Sequence, residues 1–322
     1  MSVPADPVAS GESDRVNLRI EPRGPFSLAA ARDFLGGFTP GRGTFGTTDD
    51  ELLMAFPVDG WQGSTAVALR QGSDGALEGV VQGGADLDAV TRQVARVFSV
   101  DHDGSAYPAV GERDPVIGAL QERFAYLRPV CFYSPYEAAV AAVIGQRISQ
   151  REAAAMRSGI AREHGERFVI GGAELAAFPL PSRLVELQSY PGLPAEKVER
   201  LRAVARAAVS GTLDAEHLRS MPVAGALGEL REIRGIGEWS AQHVLLRGAG
   251  LADELPLADP LSREAVRRAY RLDQPPDDAR FAAIAEAWRP YRMWVNVLLR
   301  VWLGREGGPR LARPGRGTAR RH

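Results

Sequence analysis

Lysine is almost absent from this chain. Of 39 basic residues in 322, Lys197 is the one lysine and the other 38 are arginines. Chemistry that needs a side-chain amine, a Schiff base above all, therefore has a single candidate. Cysteine is as scarce: Cys131 stands alone, which excludes a disulfide framework, a multi-cysteine zinc site and a cysteine-ligated iron–sulfur cluster. His102, His164, His217 and His322 form no ligand spacing with one another or with Cys131, so zinc is not expected. No apolar run approaches the ~20 residues that span a bilayer, and the first residues lack the basic-then-apolar pattern of a signal peptide. A cytoplasmic protein with no membrane partner is expected.

What is present is an uneven charge. The formal net charge is −1, but residues 1–110 carry 8 basic and 15 acidic residues, or −7, and residues 111–322 carry 31 and 25, or +6. Six arginines and one glutamate between Arg305 and His322 account for +5 of that. Such a tail is a solvated end or a nonspecific tether to a polyanion.

The length and a hydrophobic content of 45% suit two domains. Residues 1–15 are polar, rich in Pro, Gly, Ser and Asp, and read as disordered. Between 16 and 110, short β-like runs (Val16–Ile20, Glu51–Val58, Thr65–Leu69, Leu77–Val81) alternate with helical stretches at Ser27–Leu35 and Leu87–Phe98. This predicts an antiparallel sheet with helices packed on one face. From 111 to 304 strand signals fade and helix punctuation takes over, which predicts an all-helical domain and an α+β chain overall. Ser134-Pro135-Tyr136-Glu137 reads as a capping box with proline at N1, opening a stripe that runs to Ile148. Further helices are expected at Ala195–Val209, Ser240–Arg247, Pro260–Tyr270, Asp277–Trp288 and Tyr291–Leu303, and residues 305–322 read as a flexible tail.

The informative segment is Leu230–Tyr270. A helix ending near Glu232 meets Ile233-Arg234-Gly235-Ile236-Gly237, and a second helix begins at about Trp239 or Ser240. Glycines flanking an apolar residue allow a tight turn with exposed amides, with Ile236 plugged between the helices. Amides at a helix N-terminus bind phosphate. A lone GxG is most often an ordinary turn, but Leu-x-x-Ile-x-Gly-Ile-Gly before a helix is a helix-hairpin-helix frame. Such a hairpin grips one DNA backbone strand without reading its sequence. Downstream, Asp259-Pro260 reads first as an N-cap with proline at N1. The same carboxylate, beside a bound nucleotide, is placed to stabilise a sugar oxocarbenium ion or to orient water onto it.

The hairpin, the downstream aspartate and the Gly/Pro spacing between them resemble the helix-hairpin-helix DNA glycosylase superfamily, and within it the AlkA-type 3-methyladenine DNA glycosylase II branch. Tyr136–Ser149, Gly192–Gly211, Trp288–Trp302 and the mixed domain at 16–110 agree with that branch. The resemblance implies removal of a damaged purine from double-stranded DNA by base flipping and cleavage of its N-glycosidic bond, with no required cofactor and as a monomer. It places Asp259 at the catalytic aspartate. Gly235, Ile236, Gly237 and Ser240 fall on the phosphate-binding hairpin, where main-chain carbonyls near Ile233 and Ile236 would hold a structural Na+ or K+. Trp239 stands where bifunctional relatives carry a Schiff-base lysine, so hydrolysis without strand cutting is expected. On its own it reads as a core residue behind the hairpin; the branch pattern puts it in the pocket, stacked on the flipped base.

Four positions qualify the pocket. Gln146 matches a pocket glutamine, or is simply a polar residue on a helix flank. Arg147 replaces an apolar wedge: it inserts into the base stack, or is an exposed helical charge. His243 and Arg300 stand at two aromatic pocket positions. His243 stacks if neutral and repels a cationic base if charged. Helical phase puts Trp302 with Trp294, Val297, Leu298 and Val301 on an apolar stripe, and Arg300 with Arg289, Arg292 and Asn296 on a polar one. The base range is therefore expected to differ from simple methylpurines, with hypoxanthine or another adduct as the alternatives. The competing expectation from another class is a non-catalytic, lesion-sensing DNA-binding protein that keeps the hairpin and has lost the pocket.

Overall fold

A computed structural model describes residues 15–37, 45–48 and 50–305. The N-terminal segment and tail set apart in the sequence lie outside these, except for Arg15 and Arg305. Strands β1 (Arg15–Ile20), β2 (Phe45–Thr47), β3 (Leu52–Pro57), β4 (Ser64–Gln71) and β5 (Leu77–Gln82) form one antiparallel sheet in the order β1-β5-β4-β3-β2. Helices α1 (Leu28–Gly37) and α2 (Leu87–Val97) cover one face.

Every residue of β3 is buried, because the other face is covered too. Leu52, Met54 and Phe56 point to the helices, while Leu53 and Ala55 pack on Phe168 and Ile170. Those two belong to a hairpin, β6 (Arg167–Ile170) and β7 (Ala173–Ala176), lying inside the stretch expected to be all-helical. Its two-residue turn, Gly171-Gly172, has φ of +57° and +76°, the left-handed pair that a tight hairpin requires. Four-residue strands, one of them half alanine, are too short to show a period of two, but the Gly-Gly dipeptide was a visible signal.

The remaining helices are α3 (Pro108–Arg113), α4 (Pro115–Arg123), α5 (Pro135–Gly145), α6 (Gln150–His164), α7 (Pro181–Val185), α8 (Ala195–Val209), α9 (Ala215–Ser220), α10 (Val223–Arg231), α11 (Glu238–His243), α12 (Pro260–Ala269), α13 (Asp278–Ala285) and α14 (Arg292–Arg305). One core joins the sheet and its helices to α4, α12, α13 and α14, and a second is built from α5, α6, α8, α10 and α11. The boundary drawn at 110/111 falls inside α3.

Local chemistry differs from expectation at both ends of α5. Ser134 Oγ accepts from the Glu137 amide at 3.2 Å, yet Glu137 does not close the box: it is buried and faces Arg157 of α6 at 3.7 Å. Burial pushes its carboxyl up to about 7. The reciprocal box is at the start of α6, where Ser149 and Glu152 bond each other's amides. Helix α5 stops at Gly145 rather than running to Ile148, and Arg147 takes φ of +60° in the turn that follows.

Candidate functional site

The hairpin between α10 and α11 is closed by the Ile236 amide donating to the Ile233 carbonyl at 2.9 Å. Gly235 has φ of +97°, and a Cβ there would come within 2.7 Å of the Arg200 side chain on α8. Glycine is thus required twice over at 235. Gly237 is the N-cap of α11 with extended backbone and open space around it, which leaves its main chain accessible. Ile236 is buried in the second core and serves as the plug. Ser240, expected on the DNA-facing hairpin, is also buried and turns inward to the cavity described next.

Where the two cores meet lies a cavity of about 690 Å³. Its apolar walls include Phe34, Phe132, Leu246, Met293 and Val297, and Asp259, Trp239, His243, Gln146 and Arg300 all line it. The five expected pocket and catalytic positions are thus brought together. Trp239 is 44% exposed and stacks on His243, one turn later in α11, with centroids 4.9 Å apart and planes within 10°. This is an open aromatic face and not a core residue. His243 in turn meets Phe132 edge-on at 5.3 Å.

Asp259 caps α12. Its Oδ1 accepts from the Leu261 amide at 3.2 Å and its Oδ2 from the Ser262 hydroxyl at 2.7 Å. The loop before it is pinned by Gln242 Oε1, which accepts from the Ala258 amide at 2.8 Å. The N-cap role and the cavity-facing role therefore coexist, as two oxygens allow. Arg300 of α14 reaches across to pair with Asp259 Oδ2.

Desolvation, followed by the positive charges of Arg247 and Arg300, pushes His243 down to about 3. The imidazole is neutral at physiological pH, so the charged form that would repel a cation does not arise there. Stability follows by linkage. The unfolded chain binds a proton at His243 near pH 6.5 and the folded chain only near 3, so stability falls as pH drops through that window and is unaffected above it. His243→Gln is expected to lose less stability than wild type between pH 7 and pH 4.5, read from urea midpoints. An equal loss in both proteins contradicts the assignment.

Gln146 lines the cavity, but its carboxamide is tied to the hairpin: Nε2 donates to the Gly235 carbonyl at 2.9 Å and Oε1 accepts from Arg200. Lys197 Nζ donates to the Ile144 and Gln146 carbonyls at 2.7 and 2.6 Å, capping the C-terminus of α5. Arg147 is exposed on the turn after that helix, so its expected alternative role as an exposed helical charge gives way to a loop position. Trp302 is partly buried against the first core. Sequence reasoning missed Phe132, Arg157, Gln242 and Arg247, for which no local signal exists. It also missed Asn296, although Asn296 shares the polar stripe with Arg300. Among the described residues no group of three His, Cys, Asp or Glu is placed to hold a metal, and no helix is long and apolar enough to cross a membrane.

No family model matches the chain. It is 26% identical over 262 residues to the putative DNA-3-methyladenine glycosylase YfjP of Bacillus subtilis, covering 76% of this chain and 85% of the relative. It is 31% identical over 173 residues to DNA-3-methyladenine glycosylase 2 of Escherichia coli, covering 52% and 56%. The 3-methyladenine DNA-glycosylase structure from Archaeoglobus fulgidus shares its fold, with a TM-score of 0.72, 23% identity, and coverage of 89% and 98%.

Proposed function

Since the chain belongs to the helix-hairpin-helix DNA glycosylase superfamily, in its AlkA-like branch, we propose that it is a monofunctional DNA glycosylase. It draws a damaged purine nucleotide out of double-stranded DNA and hydrolyses the N-glycosidic bond, initiating base-excision repair as a cytoplasmic monomer. The observation that carries this reading is the Asp259 carboxylate at the head of α12, in the wall of a cavity of about 690 Å³ beside the Trp239–His243 stack.

The roles follow from geometry. Hairpin amides around Gly235 and Gly237 hold a backbone phosphate. Arg147, exposed on its turn, reaches the DNA. The flipped base lies against the Trp239 indole, with the Phe132 and Val297 walls excluding water. As the bond from C1′ to the base breaks, positive charge grows on the sugar, and Asp259 supplies the facing negative charge. Water then adds to C1′. In the resting protein Arg300 pairs with that carboxylate, so the nucleotide must displace it from Oδ2. The carbonyls of Ile233 and Ile236 are the proposed ligands of a monovalent cation. Ile233 O already accepts from the Ile236 amide and keeps a second lone pair for an ion, which would brace the hairpin.

No lysine stands free at the site for a Schiff base: Trp239 occupies the hairpin position, and Lys197, the one lysine, donates to two carbonyls. The expected result is therefore a lesion-bearing strand that breaks only after alkali, with no protein–DNA adduct trapped by borohydride. A trapped adduct, or cutting without alkali, contradicts the hydrolytic mechanism. The Arg300–Asp259 pair is the one feature that favours a non-catalytic lesion sensor, for which duplex binding persists and alkali reveals no abasic site.

A further inference from the structure

Two cations of α8 have no part in the chemistry so far. Lys197 and Arg200 stand about one turn apart on that helix, and neither lines the cavity. Both converge on Gln146. Lys197 Nζ donates to the Gln146 carbonyl at 2.6 Å and to the Ile144 carbonyl at 2.7 Å. Arg200 donates to Gln146 Oε1, while Gln146 Nε2 donates to the Gly235 carbonyl of the hairpin at 2.9 Å. The stem of Arg200 also lies along Gly235, where a Cβ would come within 2.7 Å of it. One helix thus ties the hairpin to the turn after α5, two segments 89 residues apart in sequence.

That turn carries Arg147. Its φ of +60° is a sparsely populated conformation for a residue with a Cβ, and such a conformation persists where its surroundings over-determine it. Here they do. The φ of Arg147 is measured from the peptide plane that contains the Gln146 carbonyl, and Lys197 fixes that plane. On the far side, the Ile148 amide closes the turn by donating to the Gly145 carbonyl at 3.5 Å. The Arg147 side chain is exposed, with no hydrogen bond or ion pair among the described residues. A free cationic head therefore stands on a backbone held from three directions. An ordinary helix C-cap needs only its own carbonyls satisfied, whereas the Gln146 carboxamide and Arg200 extend this one to the hairpin.

We propose that Lys197 and Arg200 are positioning residues. Through Gln146 they lock the Arg147 turn to the hairpin, so that the hairpin's grip on the phosphate backbone also sets where Arg147 meets the duplex. The assignment rests on the DNA contacts of the hairpin and Arg147 described above.

The test uses a duplex with 2-aminopurine beside a tetrahydrofuran abasic site, whose fluorescence rises when the neighbouring base is unstacked. Wild type, Lys197→Met, Arg200→Met, Arg147→Ala and the two double variants with Arg147→Ala are compared at saturation, which removes differences in affinity from lost charge. Wild type is expected to raise the fluorescence. Lys197→Met and Arg200→Met should fall to the level of Arg147→Ala, and adding either to Arg147→Ala should change nothing further. Single-turnover base release should slow by ~10–100-fold in each single variant, with the double variants within ~3-fold of Arg147→Ala. A purely structural role predicts instead that the single variants keep the wild-type fluorescence, or that their losses multiply with that of Arg147→Ala, and either result overturns the proposal. So does a wild type that raises no fluorescence. Should Lys197→Met lack the wild-type melting transition, Arg200→Met decides, because it leaves the cap on α5 in place. The fluorescence needs no turnover, so a wild type that unstacks the probe and releases no base overturns the glycosylase reading alone.

Discussion

Asp259→Asn is expected to lower the single-turnover rate of base release by ~10²–10³-fold or more while leaving the fold intact. The two effects separate because the residue does two jobs. As an N-cap, asparagine is as good as aspartate, and its amide oxygen can still accept from the Leu261 amide, as Oδ1 does at 3.2 Å. What disappears is the negative charge facing the sugar, and with it the ion pair to Arg300. Removing a negative charge from the wall proposed to face a polyanion does not weaken DNA binding, so affinity for an abasic-site duplex should be unchanged or tighter. Release within ~3-fold of wild type would remove Asp259 from the mechanism. Asp259→Ala is a poorer test, because it also costs the cap about 1 kcal/mol.

The second large effect is on stability. Arg128 is 1% exposed and donates to four carbonyls: Pro25 at 2.9 Å, Ser99 at 3.2 Å, His102 at 3.3 Å, and Arg23. Its guanidinium also lies 5.0 Å from the centre of the Trp294 ring on α14. One side chain thus ties the loop after β1, the loop after α2 and the last helix together. Burial pushes it down to about 10, which still leaves it charged at neutral pH. Arg128→Met keeps most of the packing volume but takes the donor from the Pro25, Ser99 and His102 carbonyls, while the Arg23 carbonyl keeps the Gly104 amide at 2.9 Å. The expected loss is about 3–5 kcal/mol, a fall in Tm on the order of 10 °C for a chain of this size. A loss below about 1 kcal/mol in a urea titration would mean that the carbonyls find other partners. Since Trp294 belongs to the helix that carries Asn296 and Arg300, the variant should also lose activity at temperatures below its melting transition.

The elements legible in the sequence are those whose signal is local. Ser134-Pro135, Asp259-Pro260 and the Gly235-Ile236-Gly237 turn announce helix ends and a hairpin by residue type alone, and the structure puts helix starts at Pro135, Glu238 and Pro260. The strands at β3 and β4 were visible as apolar runs. What covers their second face was not, because burial on both faces is a property of β6 and β7, about 100 residues later. Site chemistry divides in the same way. Asp259, Trp239, His243 and Arg300 could be named from spacing, but that Arg300 sits on Asp259 depends on how α12 and α14 pack. Gln146 lines the cavity as its spacing suggested, but that its carboxamide is also held by the hairpin carbonyl and Arg200 is a long-range contact that no helical phase reveals. Glu137 shows the converse case, a residue in perfect capping register that packs against Arg157 instead.

The most direct test of the central claim is chromatographic detection of free base after incubating wild-type protein with duplexes carrying hypoxanthine, 7-methylguanine or 1,N6-ethenoadenine. The account predicts free base in the supernatant, one abasic site per base released, and strands that stay whole until alkali is added. Tight duplex binding with no free base from any of the three would contradict it.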